Sequence, residues 1–151
     1  MNAIPRFAAI FGIAGLMLAT TAWAEKADAN KPVNIEADRV SASTVAGWTA
    51  SGGSNASSAH TGRWSWQLGG SLEQKLTGLP NGTYALSVWA KSASGTLYAK
   101  GFGGTDQSTP LSAGASWTKV SLGDLAVSNG ACTIGISSGS GNVDDFSLVK
   151  S

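Results

Sequence analysis

From Tyr84 to Lys91 the chain alternates without a break, with Tyr84, Leu86, Val88 and Ala90 on one face and Ala85, Ser87, Trp89 and Lys91 on the other. Period-two patterning of this kind suits a half-buried strand, because a helix would scatter the same residues around its whole circumference. The pattern recurs. Leu72, Gln74 and Leu76 oppose Glu73, Lys75 and Thr77; Trp64, Trp66 and Leu68 share a face, as do Cys132, Ile134 and Ile136; and Asp144, Phe146 and Leu148 fall together in a last segment. Beyond residue 24 no apolar stripe holds helical spacing. Strands are expected at 33–40, 64–68, 71–77, 84–91, 96–102, 117–122, 131–137 and 143–149. Leu79-Pro80-Asn81-Gly82 is the strongest turn, since Pro80 presets its φ and Asn81-Gly82 accept positive φ. About eight short antiparallel strands with turns every ~8–12 residues describe a sandwich or jelly roll. An up-and-down barrel is an alternative that alternation alone leaves open.

The first 24 residues read differently. Arg6 gives a basic start, residues 7–18 are apolar, and Ala22-Trp23-Ala24 supplies the small-x-small pattern of a signal-peptidase site. The apolar run is shorter than the ~20 residues needed to cross a bilayer. Residues 1–24 are therefore expected to be a signal peptide cleaved after Ala24, giving a secreted or periplasmic protein with no membrane insertion. Residues 25–32 are expected to be a disordered polar leader, and 33–151 one domain. Without Arg6 the acidic and basic residues balance, and no basic stripe exists, which argues against nucleic acid as a partner. The single cysteine, Cys132, has no internal partner and belongs to an apolar strand face, where it acts as a small hydrophobe.

The stretch Leu76-Thr77-Gly78-Leu79-Pro80-Asn81-Gly82-Thr83-Tyr84-Ala85-Leu86-Ser87-Val88-Trp89-Ala90-Lys91 resembles the core of galactose-binding-like jelly-roll carbohydrate-binding modules. Gly47-Trp48-Thr49, His60-Thr61-Gly62, Ser116-Trp117-Thr118-Lys119-Val120 and Val143-Asp144-Asp145-Phe146-Ser147-Leu148 follow in the order expected of such modules. Ala99-Lys100-Gly101-Phe102-Gly103-Gly104 is similar to the accessory domain of arabinogalactan endo-β-1,4-galactanases. The resemblance implies an all-β antiparallel sandwich that binds a polysaccharide, with β-galactan or a related β-glycan first. It also implies a structural calcium ion between the first and last strands, held by Glu36 with Asp144 or Asp145 and by backbone carbonyls of residues 59–62.

Sugars offer C–H patches that stack on aromatic rings and hydroxyls that pair with amides and carboxylates. Trp89 faces away from Tyr84, Leu86 and Val88, beside Ser87 and Lys91, and is the first candidate for a stacking platform. Trp48, in a glycine-bounded loop, is the second. Tyr98 and Lys100 share a strand face that would flank such a platform. Gln74 and Asp106 carry hydrogen-bonding groups, although Gln74 alternates with core leucines. Trp64, Trp66 and Trp117 are expected to pack in the core or at its edge. Asp144, alternating with Phe146 and Leu148, reads as an inward carboxylate that a cation would relieve. No nucleophile-elbow motif is present, His60 is the sole histidine, and no hydrolase pattern surrounds the carboxylates, so a binding protein rather than an enzyme is expected. A structural or adhesive sandwich that binds a protein partner is the second reading.

Overall fold

The computed structural model describes residues 47–151, together with the backbone pairing of β1 (Trp23–Ala24) with β2 (Ile35–Glu36). The expected signal peptide, the leader, the rest of the 33–40 strand and the side chain of Glu36 lie outside the described residues. Seven further strands follow: β3 (Thr49–Ala50), β4 (Gly53–Ala56), β5 (Ser65–Thr77), β6 (Gly82–Lys100), β7 (Gln107–Ala113), β8 (Thr118–Val127) and β9 (Ala131–Lys150). All pairings are antiparallel, in the order β3-β5-β9-β6-β7, with β4 on β5 and β8 on β6. The ladder does not close on itself, so the fold is a β-sandwich rather than a barrel.

Three strands are far longer than the alternation implied. The pairs read as 64–68 with 71–77, 84–91 with 96–102, and 131–137 with 143–149 are single strands that bend. Their bends coincide across the sheet. Register slips between Gly70 and Leu72 of β5 against β9, and twice between Lys91 and Thr96 of β6. Ser92 (φ 48°), Ser138 (φ 51°) and Gly141 (φ 84°) adopt left-handed backbone along the same line. Extra residues on one side of a ladder bend it and sharpen its twist. Here they fold one sheet over itself.

Each side of the fold line then brings its apolar face to a common core. Tyr84, Leu86, Val88, Phe146 and Leu148 come from one half, and Leu72, Leu76, Leu97, Ala99, Ile134 and Ile136 from the other. Cys132 is fully buried among them, and burial pushes its thiol up to about 11, as a packing residue requires. Strand β7 was not anticipated. It carries Pro110 opposite Thr96, which an outermost strand tolerates because that residue donates nothing to the ladder.

Gly141 sits on the fold line, pressed against the bend of β6. A Cβ there would meet the Ser92 carbonyl oxygen and lie 2.5 Å from Ala93 Cα. Gly141→Ala is expected to lower the unfolding free energy by about 2–5 kcal/mol, combining left-handed strain with overpacking. Gly114, whose Cβ would meet nothing within 4 Å, is the control, and Gly114→Ala is expected to be neutral. Urea midpoints check this, and equal midpoints for the two variants would contradict the assigned fold line.

Candidate carbohydrate-binding surfaces

The fold line divides the sequence-predicted residues between two faces. Trp89 lies on the outer face of the β8–β6–β9 half, opposite Lys119 of β8 and Asp144 of β9. Tyr98 and Lys100 lie on the outer face of the other half, with Tyr98 opposite Ser108 of β7 and Gly135 of β9. The expectation that Trp89, Tyr98 and Lys100 flank one platform is therefore corrected: β6 crosses the bend between them.

Around Trp89, the loop between β4 and β5 folds down onto the sheet. The His60 imidazole stacks on the indole at 3.9 Å between centroids and 14° between planes, and Trp117 meets His60 edge-on at 5.8 Å. His60 Nδ1 lies 2.7 Å from Asp145 Oδ2, and Thr61 Oγ1 donates to Asp145 Oδ1 at 2.7 Å. The amides of His60 and Thr61 donate to Asp144 Oδ2 at 2.9 and 3.2 Å, and the Asp145 amide to Asp144 Oδ1 at 2.9 Å. Lys91 Nζ reaches Ser58 Oγ at 3.3 Å.

A bulge produces this arrangement. Ser87 pairs with Ser147 and Trp89 with Asp144, so one residue of β6 spans two of β9, and Asp145 takes φ 49°. Alternation through Asp144, Phe146 and Leu148 is thereby broken. Phe146 and Leu148 enter the core, whereas Asp144 moves to the Trp89 side and is buried at 3% exposure under the loop. Burial pushes its carboxyl up to about 6, the charge of Asp145 adds to the rise, and the three amides oppose it. Among the described residues no three His, Cys, Asp or Glu side chains form a metal-binding group.

Beside the indole is a cavity of about 300 Å³ lined by Thr61, Ser87, Trp89, Lys119, Asp145 and Ser147. Ser87 and Ser147 bring hydroxyls into it, and with Ser121 they form a row across three adjacent strands. Sequence reading passed over Lys119 and these serines. His60, noted there only as the sole histidine and within a family-like motif, was not expected beside Trp89. The cross-strand register that unites them is invisible until strands are paired.

On the opposite face, Tyr98, Lys100 and Asp106 do converge, lining a cavity of about 360 Å³ with Thr96, Gln107 and Ser108. Tyr98 donates to Glu73 Oε2 at 2.5 Å, and Lys100 Nζ pairs with the same oxygen at 2.9 Å. The hydrogen bond from Tyr98, then Lys100, lowers the Glu73 carboxyl, while burial and that carboxylate raise the phenol.

Two expected sites are corrected. Trp48 is only 8% exposed and packs on Phe146 at 4.7 Å, so its ring belongs to the core rather than to a sugar platform. Gln74 is 3% exposed, between Leu72 and Leu76, and reaches neither groove. Trp66 is buried, whereas Trp64 and Trp117 are half-buried.

Removing the imidazole strips one face of Trp89 and leaves Asp145 without its ring partner. His60→Ala is expected to cost about 1–2 kcal/mol and to red-shift tryptophan emission. Unchanged emission and stability would show that the stack holds nothing in place.

No protein-family model and no curated protein matches the chain. Solved structures do match. TmCBM61, a carbohydrate-binding module solved in complex with β-1,4-galactotriose, aligns with a TM-score of 0.57 at 22% identity, over 70% of this chain and 90% of that one. The Podospora anserina GH26-CBM35 β-(1,4)-mannanase aligns with a TM-score of 0.53 at 23% identity, over 81% of this chain and 28% of that one. The likeness is one of fold, that of the β-sandwiches of carbohydrate-binding modules.

Proposed function

We propose that this chain is an exported, non-catalytic module that binds a polysaccharide along the Trp89 groove by aromatic stacking. The observation that carries the reading is the groove itself: a tryptophan braced on one side by His60, beside a row of serine hydroxyls, with Lys119 and Asp145 lining the same cavity. An apolar ring beside donors and acceptors of both charges matches the alternating C–H and hydroxyl surface of a sugar. Bracing lowers the ordering cost of binding, since the indole is already fixed. The fold shared with a module that holds β-1,4-galactotriose supports a β-linked hexosyl polymer as the ligand class to test first.

Protein recovered from outside the producing cell, with Glu25 as its first residue by mass spectrometry, is the species to assay. Binding to β-galactan or β-mannan is expected on a glycan array. Trp89→Ala is expected to weaken it at least tenfold, ~1.4 kcal/mol. Absence of binding across galactans, mannans, xylans, glucans and chitin would overturn the proposal, and a lone protein partner in envelope pull-downs would replace it with an adhesive role.

A structural calcium held by Glu36, Asp144 and Asp145 is part of the same proposal. Its support is the situation of Asp144, a buried carboxylate whose charged form is disfavoured by burial and by the adjacent Asp145. The described loop meets this pair with N–H, imidazole and hydroxyl groups, so the remaining oxygen ligands that calcium requires would come from elsewhere. Bound calcium would supply positive charge beside the two adjacent carboxylates. At pH 7, calcium is expected to raise the melting temperature over a chelated sample by roughly 5 °C or more, and Asp144→Asn to abolish the increment. Identical melting with and without calcium would remove the ion from the proposal.

A further inference from the structure

The second groove is built as deliberately as the first. Tyr98 projects from β6, yet its hydroxyl reaches Glu73 on β5, two strands away, with Gly135 of β9 between them. The phenol must therefore lie across the sheet. A Cβ on Gly135 would be 2.7 Å from the Tyr98 hydroxyl and 2.9 Å from Cζ, so the ring rests on bare glycine backbone. The fixed, half-buried ring, with Lys100 Nζ over it, lines the cavity of about 360 Å³.

Polar groups of every needed kind surround it. Lys100 Nζ is 4.9 Å from the ring centroid and bonded to Glu73, and both side chains stay well exposed at 46% and 38%. Asp106, just before β7, adds a carboxylate, and Gln107 and Ser108, the first residues of β7, add an amide and a hydroxyl. An aromatic that merely covers a strand glycine needs neither the lateral bond to Glu73 nor this rim. The cavity stands at the low end of the ~300–1,000 Å³ typical of ligand sites, suited to a few sugar rings held from one side.

We propose that the Tyr98 groove is a second, independent saccharide-binding surface, back to back with the Trp89 groove, which makes a single chain bivalent for polysaccharide. The inference rests on the glycan-binding reading above but uses none of its residues. Both outer faces belong to one rigid sandwich, so two sugars bound there lie on opposite sides of the core. They would belong to different polymer chains or to distant parts of one. Bivalent attachment multiplies retention on an insoluble glycan without tighter individual sites.

Calorimetry with β-1,4-galactotriose and β-1,4-mannotriose tests this on the purified protein, with its monomeric state checked by sedimentation. Two ligands per chain are expected. Ser108→Arg fills the groove from an exposed strand position and is expected to leave one; Tyr98→Ala acts likewise, and Tyr98→Phe keeps the ring and most of the binding. Trp89→Ala is expected to leave the Tyr98 groove occupied, and the Trp89→Ala, Ser108→Arg double variant to bind neither sugar. Wild type alone should precipitate soluble galactan or mannan. One ligand per chain, lost with Trp89→Ala and indifferent to Ser108→Arg, overturns the second surface and leaves the first standing. One ligand lost with Ser108→Arg but not with Trp89→Ala overturns bivalency and relocates the primary site. No heat with either sugar overturns both readings.

Discussion

Strands as long as β6 and β9 each contribute both of their halves to one core. The sheet buries its apolar face against itself. Folding the sheet over requires every ladder to give way along one line, because a bend in a single strand would break its hydrogen bonds to the strands beside it. The register slips at Gly70–Leu72, Lys91–Thr96 and Ser137–Gly141 satisfy that demand together. Everything else in the molecule inherits this line: a single core, two outward faces, and the separation of Trp89 from Tyr98 along one strand.

A second bulge, at Asp145, decides what one of those faces carries. By inserting one residue into β9 it turns Asp144 and Asp145 out of the core pattern and toward the loop above Trp89. Two adjacent carboxylates repel, and burying one is costly. The loop answers with two amides, an imidazole and a hydroxyl. In being held there, His60 is laid flat on Trp89. The acidic pair thus holds the imidazole that braces the indole, and Asp145 also lines the cavity beside it.

Most of the architecture was legible in alternation, because a half-buried strand has no other way to distribute its side chains. Burial of Leu72, Leu76, Leu86, Val88 and Cys132 followed directly. Bends were not legible, since glycines and serines that bend a strand look like those that end it; Gly69-Gly70 and Ser92–Gly95 read as turns for that reason. Trp89 was placed correctly on the face away from Tyr84, Leu86 and Val88. Trp48 was misplaced because a glycine-bounded loop says nothing about what lies beneath it. Glu73 and Tyr98 are far apart in the chain and meet only through register, and Gly135, which permits the meeting, has no side chain to signal it.

The distribution of charge bears on what the two proposed grooves would recognise. Only 13% of the residues are charged, about half the ~25% usual in soluble domains. Solubility therefore falls largely to serine, threonine and backbone. Among the described residues, seven of the eleven charged side chains collect beside the two aromatic platforms: Lys91, Lys119, Asp144 and Asp145 near Trp89, and Glu73, Lys100 and Asp106 near Tyr98. At both places cations and anions are mixed, so neither groove presents the single-signed field that would draw a polyanion or a polycation. Mixed donors and acceptors around a fixed ring favour a neutral ligand dense in hydroxyls, whose aqueous hydrogen bonds must be replaced one for one when it leaves water.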